Sequence, residues 1–353
     1  MTNSSSIAVV VVNFRTPQYA IDCVRSLVQE RTDIPDLEVI LIDNASGDGS
    51  AETMRAGLAD LIDGGFVELL PLEINGGFGW ANNQAILKLM ERAVPPEYIM
   101  LLNPDCTIEP SAITVLHDEM AAYPHCAIVG SQLLNPDGSW TGSAFRFPTL
   151  RREFLRGARL SFLDRLLGIS PTLITSDNSC EAEWVTGASC MLRSCALNEV
   201  GLFDEGFFLY FEEVELMHRL QMAGWSIRHA PASHVFHIGG ASTGLREGKS
   251  LTAPSFPLYW FESRRRFFTL AYGPFKAWLA GIFWISGTFI GRLVGLILPS
   301  RADPFATADM KQMLKHGLWP SSRDSKRVKI AVGDRRGMAP RWMEWQGKGE
   351  NAA

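Results

Sequence analysis

Apolar and polar positions fall into blocks along the first third of the chain. The segments IAVVVVNFRT, LEVILIDNASGDGS and YIMLLNPDCTI each open on a Val-, Ile- or Leu-rich run, the pattern of strands buried on both faces. Between them, Tyr19 to Glu30 and Ala81 to Arg92 carry apolar residues at helical spacing. Alternation of the two kinds from Ile7 to about Ile128 predicts βαβ units and a largely parallel sheet. Every apolar run also stops on polar groups: Asn13 and Arg15, Asp43 and Asn44, then Asn103, Pro104 and Asp105. Open α/β sheets bind ligands at the carboxyl ends of their strands, so these groups suit one rim and a charged, hydrogen-bonding ligand such as a nucleotide diphosphate.

Later segments are less regular. NPDGSW, from Asn135, reads as a turn at a sheet margin, and Arg146 to Asp177 is basic without a strong period, as in a mobile loop over a site. Regularity returns at Trp184 to Arg193, in a helix that begins near Glu212 and ends before Gly224, and in a last strand around Trp225 to Phe236. Residues 1–248 therefore form one α/β unit. Residues 249–320 change character, mixing aromatics, the triple arginine Arg264 to Arg266 and a long apolar run. Only fifteen uncharged residues separate Lys276 from Arg292, whereas a spanning helix needs about 20 apolar residues. A helix lying in a membrane surface fits as well as a single crossing over 275–298. Trp260, Trp278 and Trp284 then sit at headgroup level and the flanking cations meet anionic lipid, on the cytoplasmic face of the cell membrane. A buried helical hairpin is the bland alternative. Residues 321–353 read as a polar, locally basic, loosely ordered tail.

Bulk composition narrows the field modestly. A chain of 353 residues can bury a large core, and a net charge of −5 gives no nucleic-acid signal. Six scattered cysteines, with no C-x-x-C pair, read as reduced packing residues. The start MTNSSS lacks a basic region, so the apolar run after it is a first strand and not a signal peptide.

Five constellations can carry chemistry. Asp43 in IDNASGDGS can accept hydrogen bonds from a base or ribose, or simply make the turn into a helix capped by Ser50 or Asp48. In EINGGFGWANNQA, Asn75, Gly76, Gly77 and Gly79 precede a helix bearing Asn82 and Asn83; glycines let backbone N–H groups approach an anion at a helix N-terminus. G-x-G-x-x-G fails there because Asn82 holds the third glycine's place, and no Walker A lysine occurs, which disfavours dehydrogenases and P-loop enzymes. Asp105 can hold Mg²⁺ or Mn²⁺ against a diphosphate, with Asn103 as a neutral supporter, or serve as an ordinary strand terminator. Glu212, Glu213 and Glu215 open a helix after the aromatic block Phe207, Phe208, Tyr210 and Phe211. Helix-dipole complements are the plain reading of these acids, yet aromatic desolvation can keep one basic enough to take a proton. Finally His234 and His237 are offset by three in an extended segment and face opposite sides, so they do not share a metal; His237 is the better ligand for metal or phosphate.

Taken in order, VVVVNFRT, DNASGDGS, NGGFGWANN, LLNPD, TGASCMLR, FDEGFFLYFEEVEL and HIGGAS resemble the inverting glycosyltransferases of family 2, especially their bacterial rhamnosyltransferase branch. The likeness runs from about Ile7 to Ser242. It implies a GT-A fold: a mixed, mainly parallel sheet flanked by helices, followed here by the C-terminal helical region. It further implies that Asp43 contacts the nucleobase, that Asn75 to Asn82 lie near ribose and pyrophosphate, and that Asp105 is the metal-binding acid. The family's first Asp of DxD is Asn103 here. Its Glu-Asp-x-Asp signature maps onto Glu212, Glu213, Val214 and Glu215, which makes Glu213 the base, with Glu212 as the alternative. Thr186, Gly187 and Ala188 line the acceptor side, and His237 helps bind the metal diphosphate. The implied partners are a dTDP- or UDP-sugar, rhamnose by the branch, and a glycan or polyprenyl-linked acceptor, with no nucleic acid. A nucleotide-sugar-binding scaffold without turnover, or a nucleotidyltransferase releasing pyrophosphate, are the competing readings.

Overall fold

The computed structural model describes residues 6–160, 167–240, 256–297, 306–328, 330–331 and 336–347. Its centre is a nine-stranded mixed sheet. The strands in chain order are β1 (Ile7–Asn13), β2 (Glu38–Asp43), β3 (Val67–Pro71), β4 (Tyr98–Leu102), β5 (Cys106–Ile108), β6 (Cys126–Leu134), β7 (Ala144–Phe145), β8 (Leu173–Ile174), β9 (Cys180–Ala182), β10 (Trp184–Val185), β11 (Ser189–Arg193) and β12 (Ser226–His237). The large sheet runs β3-β2-β1-β4-β11-β6-β12-β5, with β9 also on β12, while β10, β7 and β8 form a small second sheet.

Register explains why one rim collects the polar groups. Strands β1, β2, β3 and β4 pair in parallel, and Asn13 stands opposite Asp43. Strand β11 is antiparallel to both β4 and β6, with Ser189 opposite Leu102, so the segment before β11 reaches the edge where β4 ends. Strand β12 runs parallel to β6 and antiparallel to β5, which sets His237 opposite Cys106. The carboxyl ends of β1, β2, β4 and β12 thus share an edge with the amino end of β11. Strands β1, β4 and β6 are buried along their whole length, as their continuous apolar runs require, and helices on both faces complete two cores.

Three expectations change. Arg146 to Asp177 is not simply a loop: Leu150–Ala158 is a helix, capped by the Thr149 hydroxyl, and 161–166 lie outside the described residues. It lies along the long apolar helix Pro274–Ile297, backbone against backbone. Gly157 faces the Trp284 carbonyl, Gly287 the Phe154 carbonyl and Gly291 the Ala158 carbonyl, each so closely that an added Cβ would sit 2.0–2.4 Å from oxygen. Small residues spaced four apart permit that approach.

The triple arginine is drawn into the protein rather than turned to lipid, Arg264 and Arg266 buried and Arg265 half-buried. Arg264 pairs with Glu153, Arg265 with Asp324 and Arg266 with Asp204, and Trp260 and Trp284 are core residues. Helix Leu258–Tyr272 therefore packs into the α/β unit, because an unpaired guanidinium could not be buried there. The large apolar side chains left exposed on Pro274–Ile297 are Phe275, Phe289, Ile290, Leu293, Leu296 and Ile297, beside Lys276 and Arg292. That helix has the length and hydropathy of a membrane span, with about a third of its apolar window buried within the chain.

The tail, read from sequence as loosely ordered, is docked in its described parts. Ile330 is fully buried and its carbonyl accepts from Leu202, while Arg327 pairs with Glu215. Along helix Phe78–Met90, Arg336 pairs with Glu91, Gly337 donates to Gln84, and Met338 accepts from the Trp80 indole.

Candidate functional site

At the ends of β1 and β2, Asn13 donates to Asp43 Oδ1 at 3.0 Å and accepts from the Thr16 hydroxyl. Ser46 closes the loop, donating from its hydroxyl at 2.6 Å and its backbone N–H at 3.1 Å to the Asp43 carboxylate. Arg15 and Ala45 both take positive φ where the chain leaves the strands, and Arg15 is tied to Ser46 through its own N–H and its Nε. The Asp43 side chain is thus set by protein partners and still lies at the sheet's binding edge. Asn44 donates to Asn75 Oδ1, which also accepts from the Gly77 N–H, and this links the β2 loop to the loop before helix Phe78–Met90. Asn44 Oδ1 is buried without a partner among the described residues.

The glycines there have reasons internal to the protein. A Cβ on Gly76 would overlap the Trp80 ring, and one on Gly77, at φ +90°, would lie 1.9 Å from the Phe208 carbonyl oxygen. That carbonyl accepts from the Phe78 N–H. Asn82 is buried and donates to the Phe78 carbonyl one turn back, so its side chain is spent on its own helix. Asn83 likewise braces the Phe203 backbone.

The second corner is built on the Asn-Pro-Asp turn. The Asn103 N–H donates to the Ala188 carbonyl and its own carbonyl accepts from Cys106. Asp105 is almost fully buried, with Oδ1 3.3 Å from His237 Nε2. Asp105, Cys106 and His237 offer atoms within 4.8 Å of one another. A carboxylate and an imidazole fit a divalent ion such as Mn²⁺. The Cys106 thiol does not join them as a thiolate, because burial, and then the neighbouring Asp105 charge, push it well above its ordinary pKa. His234 stands apart, its Nδ1 3.0 Å from Glu109, so the two histidines are divided as their offset requires.

The third corner is the start of helix Glu212–Met222. Tyr210 and Phe211 before it both hold positive φ, a conformation costing about 1–2 kcal/mol for a side-chain-bearing residue. Phe211 compensates by packing on Phe267 and Trp260 in the core. This strained pair aims two acids inward. Glu212 is buried beside Gly79, and Glu213 is half-buried, its Cβ 3.6 Å from where a Cβ on Gly187 would stand. Each has an Oε2 that is buried and unpartnered among the described residues. Burial, then the adjacent Glu213 charge, push Glu212 well above the carboxylate range; burial raises Glu213 to about 7. Glu215, the third acid, is held by Arg219 and Arg327 and supports the helix.

Thr186 to Ala188 joins the last two corners. Ala188 holds Asn103 and accepts from Cys106 Sγ, while Gly187 faces Glu213 and Phe78. The metal-competent pair and the acidic helix start therefore flank one three-residue segment, with the Asn75–Gly77 loop alongside. Two contributors escaped sequence reading: Ser46, which orders Asn13 and Asp43, and Trp342, whose indole donates to the Gly76 carbonyl at 2.9 Å. The only signal for the latter is the aromatic spacing in RWMEW within a polar tail.

Comparison with known proteins adds relatives to this geometry. Residues 6–170 match "Glycosyl transferase family 2" and residues 143–307 match "Glycosyl transferase family group 2". An N-acetylglucosaminyl-diphospho-decaprenol L-rhamnosyltransferase of Mycobacterium tuberculosis is 31% identical over 252 residues, 68% of this chain and 78% of the relative. The rhamnosyltransferase WbbL of Escherichia coli is 30% identical over 174 residues, 46% of this chain and 60% of WbbL. Among solved structures, GalNAc-T7 with UDP, GalNAc and Mn²⁺ superposes with a TM-score of 0.57 at 15% identity, covering 89% of this chain and 57% of that one.

Proposed function

Because the chain belongs to glycosyltransferase family 2, we propose that it moves a sugar, rhamnose in the first instance, from a nucleoside diphosphate donor to a hydroxyl of a lipid-linked glycan, with inversion. The mycobacterial relative, named for an N-acetylglucosaminyl-diphospho-decaprenol acceptor, supports a polyprenyl-diphosphate-linked sugar as the acceptor class. One observation carries the reading: Asp105 with His237 and Glu213 stand on opposite flanks of Thr186–Ala188. The donor lies along Asp43, Asn44 and Asn75–Gly77, with its diphosphate toward Asp105. Asp105 and His237 would hold Mg²⁺ or, better for an imidazole ligand, Mn²⁺. Such an ion, when bound, neutralises charge on the leaving nucleotide diphosphate.

Glu213 takes the acceptor proton. At pH 7 its carboxyl is poised near half ionisation, whereas burial and the neighbouring Glu213 charge push Glu212 well above the ordinary carboxylate range, which favours Glu213 as the base. Phe78, which meets Glu213 across Gly187, keeps water from competing for that proton.

The same chain would work at the cytoplasmic face of the membrane. Helix Pro274–Ile297 is clasped along one face by Leu150–Ala158, a helix bearing Arg151, Arg152, Arg156 and the buried Glu153, which could not follow it across a bilayer. Its exposed Phe289, Leu293, Leu296 and Ile297, with Arg292, fit an interfacial position that brings a lipid-linked acceptor to the site. The test is incubation of purified protein with dTDP- and UDP-sugars, Mn²⁺ and a polyprenyl-diphospho-N-acetylglucosamine. Nucleotide diphosphate release that needs the acceptor supports the reading; nucleotide binding without release rejects it.

A further inference from the structure

A cavity of about 320 Å³ lies outside the three corners, between helix Leu258–Tyr272, the Gly206–Phe208 turn and the docked tail. Its walls are rings: Phe208, Tyr259, Trp342 and Trp345. Phe208 meets Tyr259 and Trp342 edge-on at 5.4 and 5.0 Å, so the three form one aromatic corner. Most charged groups around it are already engaged. Arg265 and Asp324 pair with each other, and Arg266 is held by Asp204 and by the Arg323 and Lys326 carbonyls. Two are less so: the side chains of half-buried Glu262 and exposed Arg323 line the cavity and make no hydrogen bond or ion pair among the described residues, the Glu262 charge acting on nearby His316.

Aromatic faces combined with one uncommitted acceptor and one uncommitted donor define a ligand class. A lipid tail would desolvate the half-buried Glu262 carboxylate without pairing it, and a diphosphate would meet that same carboxylate. A pyranose satisfies all of them, laying its C–H face on a ring and its hydroxyls between carboxylate and guanidinium. The cavity also touches the transfer site twice. Trp342 donates to the Gly76 carbonyl, and Tyr259 stacks on Tyr210, two residues before Glu212.

We propose that this cavity is a saccharide subsite that holds a sugar of the acceptor beyond the one receiving transfer. This rests on the glycosyltransferase reading for its role, though not for its existence. Two measurements on the full chain separate the two. In the first, methyl glycosides of N-acetylglucosamine, glucose, galactose and rhamnose are titrated while tryptophan fluorescence and saturation-transfer NMR are recorded. At least one should bind, and Glu262→Gln and Arg323→Ala should each weaken it about tenfold, the loss of one charged hydrogen bond, with affinity for nucleotide diphosphate unchanged. In the second, with a lipid-linked disaccharide acceptor, both variants should raise the acceptor KM and leave the donor KM alone. No glycoside binding, or binding indifferent to both substitutions, overturns the subsite. Binding that responds while the acceptor KM does not move overturns its acceptor role. Should the chain show no turnover at all, the first measurement still decides the cavity.

Discussion

Replacing Glu213 by Gln should make the protein more stable at pH 8 while removing its activity, a pairing that few other substitutions would give. The carboxyl is raised from an ordinary 4.5 to about 7 by burial in the folded chain, so folding favours its protonated form. Its stabilising effect is complete below about pH 4.5 and is lost as pH rises through about 7. Well above pH 7 the ionised group costs the fold about 2–3 kcal/mol, reduced from the full linkage value because the residue is only half-buried. Gln has the same shape and no charge. Urea denaturation at pH 4 and pH 8 should therefore show the variant equal to the parent at the lower pH and more stable by about 2–3 kcal/mol at the higher. Transfer should fall by about 10²–10⁴, the usual worth of a general base. In the parent, kcat/KM should rise with pH through about 7. A stability change that is the same at both pH values, or an activity loss below tenfold, refutes the assignment. Glu212→Gln is the internal control: burial and the Glu213 charge push that carboxyl upward and away from the base role, so most of the activity should survive.

Other expectations are more local. Asp105→Asn should cut Mn²⁺-dependent donor affinity at least tenfold with little change in melting temperature; isothermal titration with and without Mn²⁺ checks it, and a metal-indifferent loss counts against the ligand role. Gly77→Ala places a methyl 1.9 Å from the Phe208 carbonyl at φ +90° and should cost about 2–3 kcal/mol by denaturation while raising donor KM. Arg266→Met strands the buried Asp204 and should destabilise by about 3–5 kcal/mol at pH 7. Phe289→Glu with Leu293→Glu should leave folding intact and release the protein from anionic liposomes in a flotation assay; retention would remove the exposed face from the account.

Much of this arrangement was legible because each strand is an uninterrupted apolar run that ends abruptly on a polar residue. Val12 to Asn13, Ile42 to Asp43 and Leu102 to Asn103 mark both the sheet and its rim. The antiparallel β11 was also visible as a regular segment, but its place between β4 and β6 was not, since pairing partners leave no local trace. The basic stretch after Arg146 and the triple arginine misled for one shared reason. Glu153, Asp204 and Asp324, which neutralise Arg264, Arg266 and Arg265, lie 59 to 111 residues away in sequence, so charges that look solvated are paired inside the fold. Gly287 and Gly291, read as part of a lipid-facing run, instead admit the backbone of a partner helix. The docked parts of the tail lacked periodicity: Ile330, Trp342 and Arg327 dock through contacts with residues far away in sequence, which a window of neighbours cannot reveal.

The central claim is that the Asp105–His237 pair and Glu213 serve one displacement at a single anomeric carbon. Proton NMR of the product formed by purified protein from a nucleoside diphosphate sugar and a lipid-linked acceptor tests it most directly. The account requires the new glycosidic bond to have the opposite anomeric configuration to the donor, with formation lost in both Asp105→Asn and Glu213→Gln. A product of retained configuration, or transfer that survives either substitution undiminished, would contradict it.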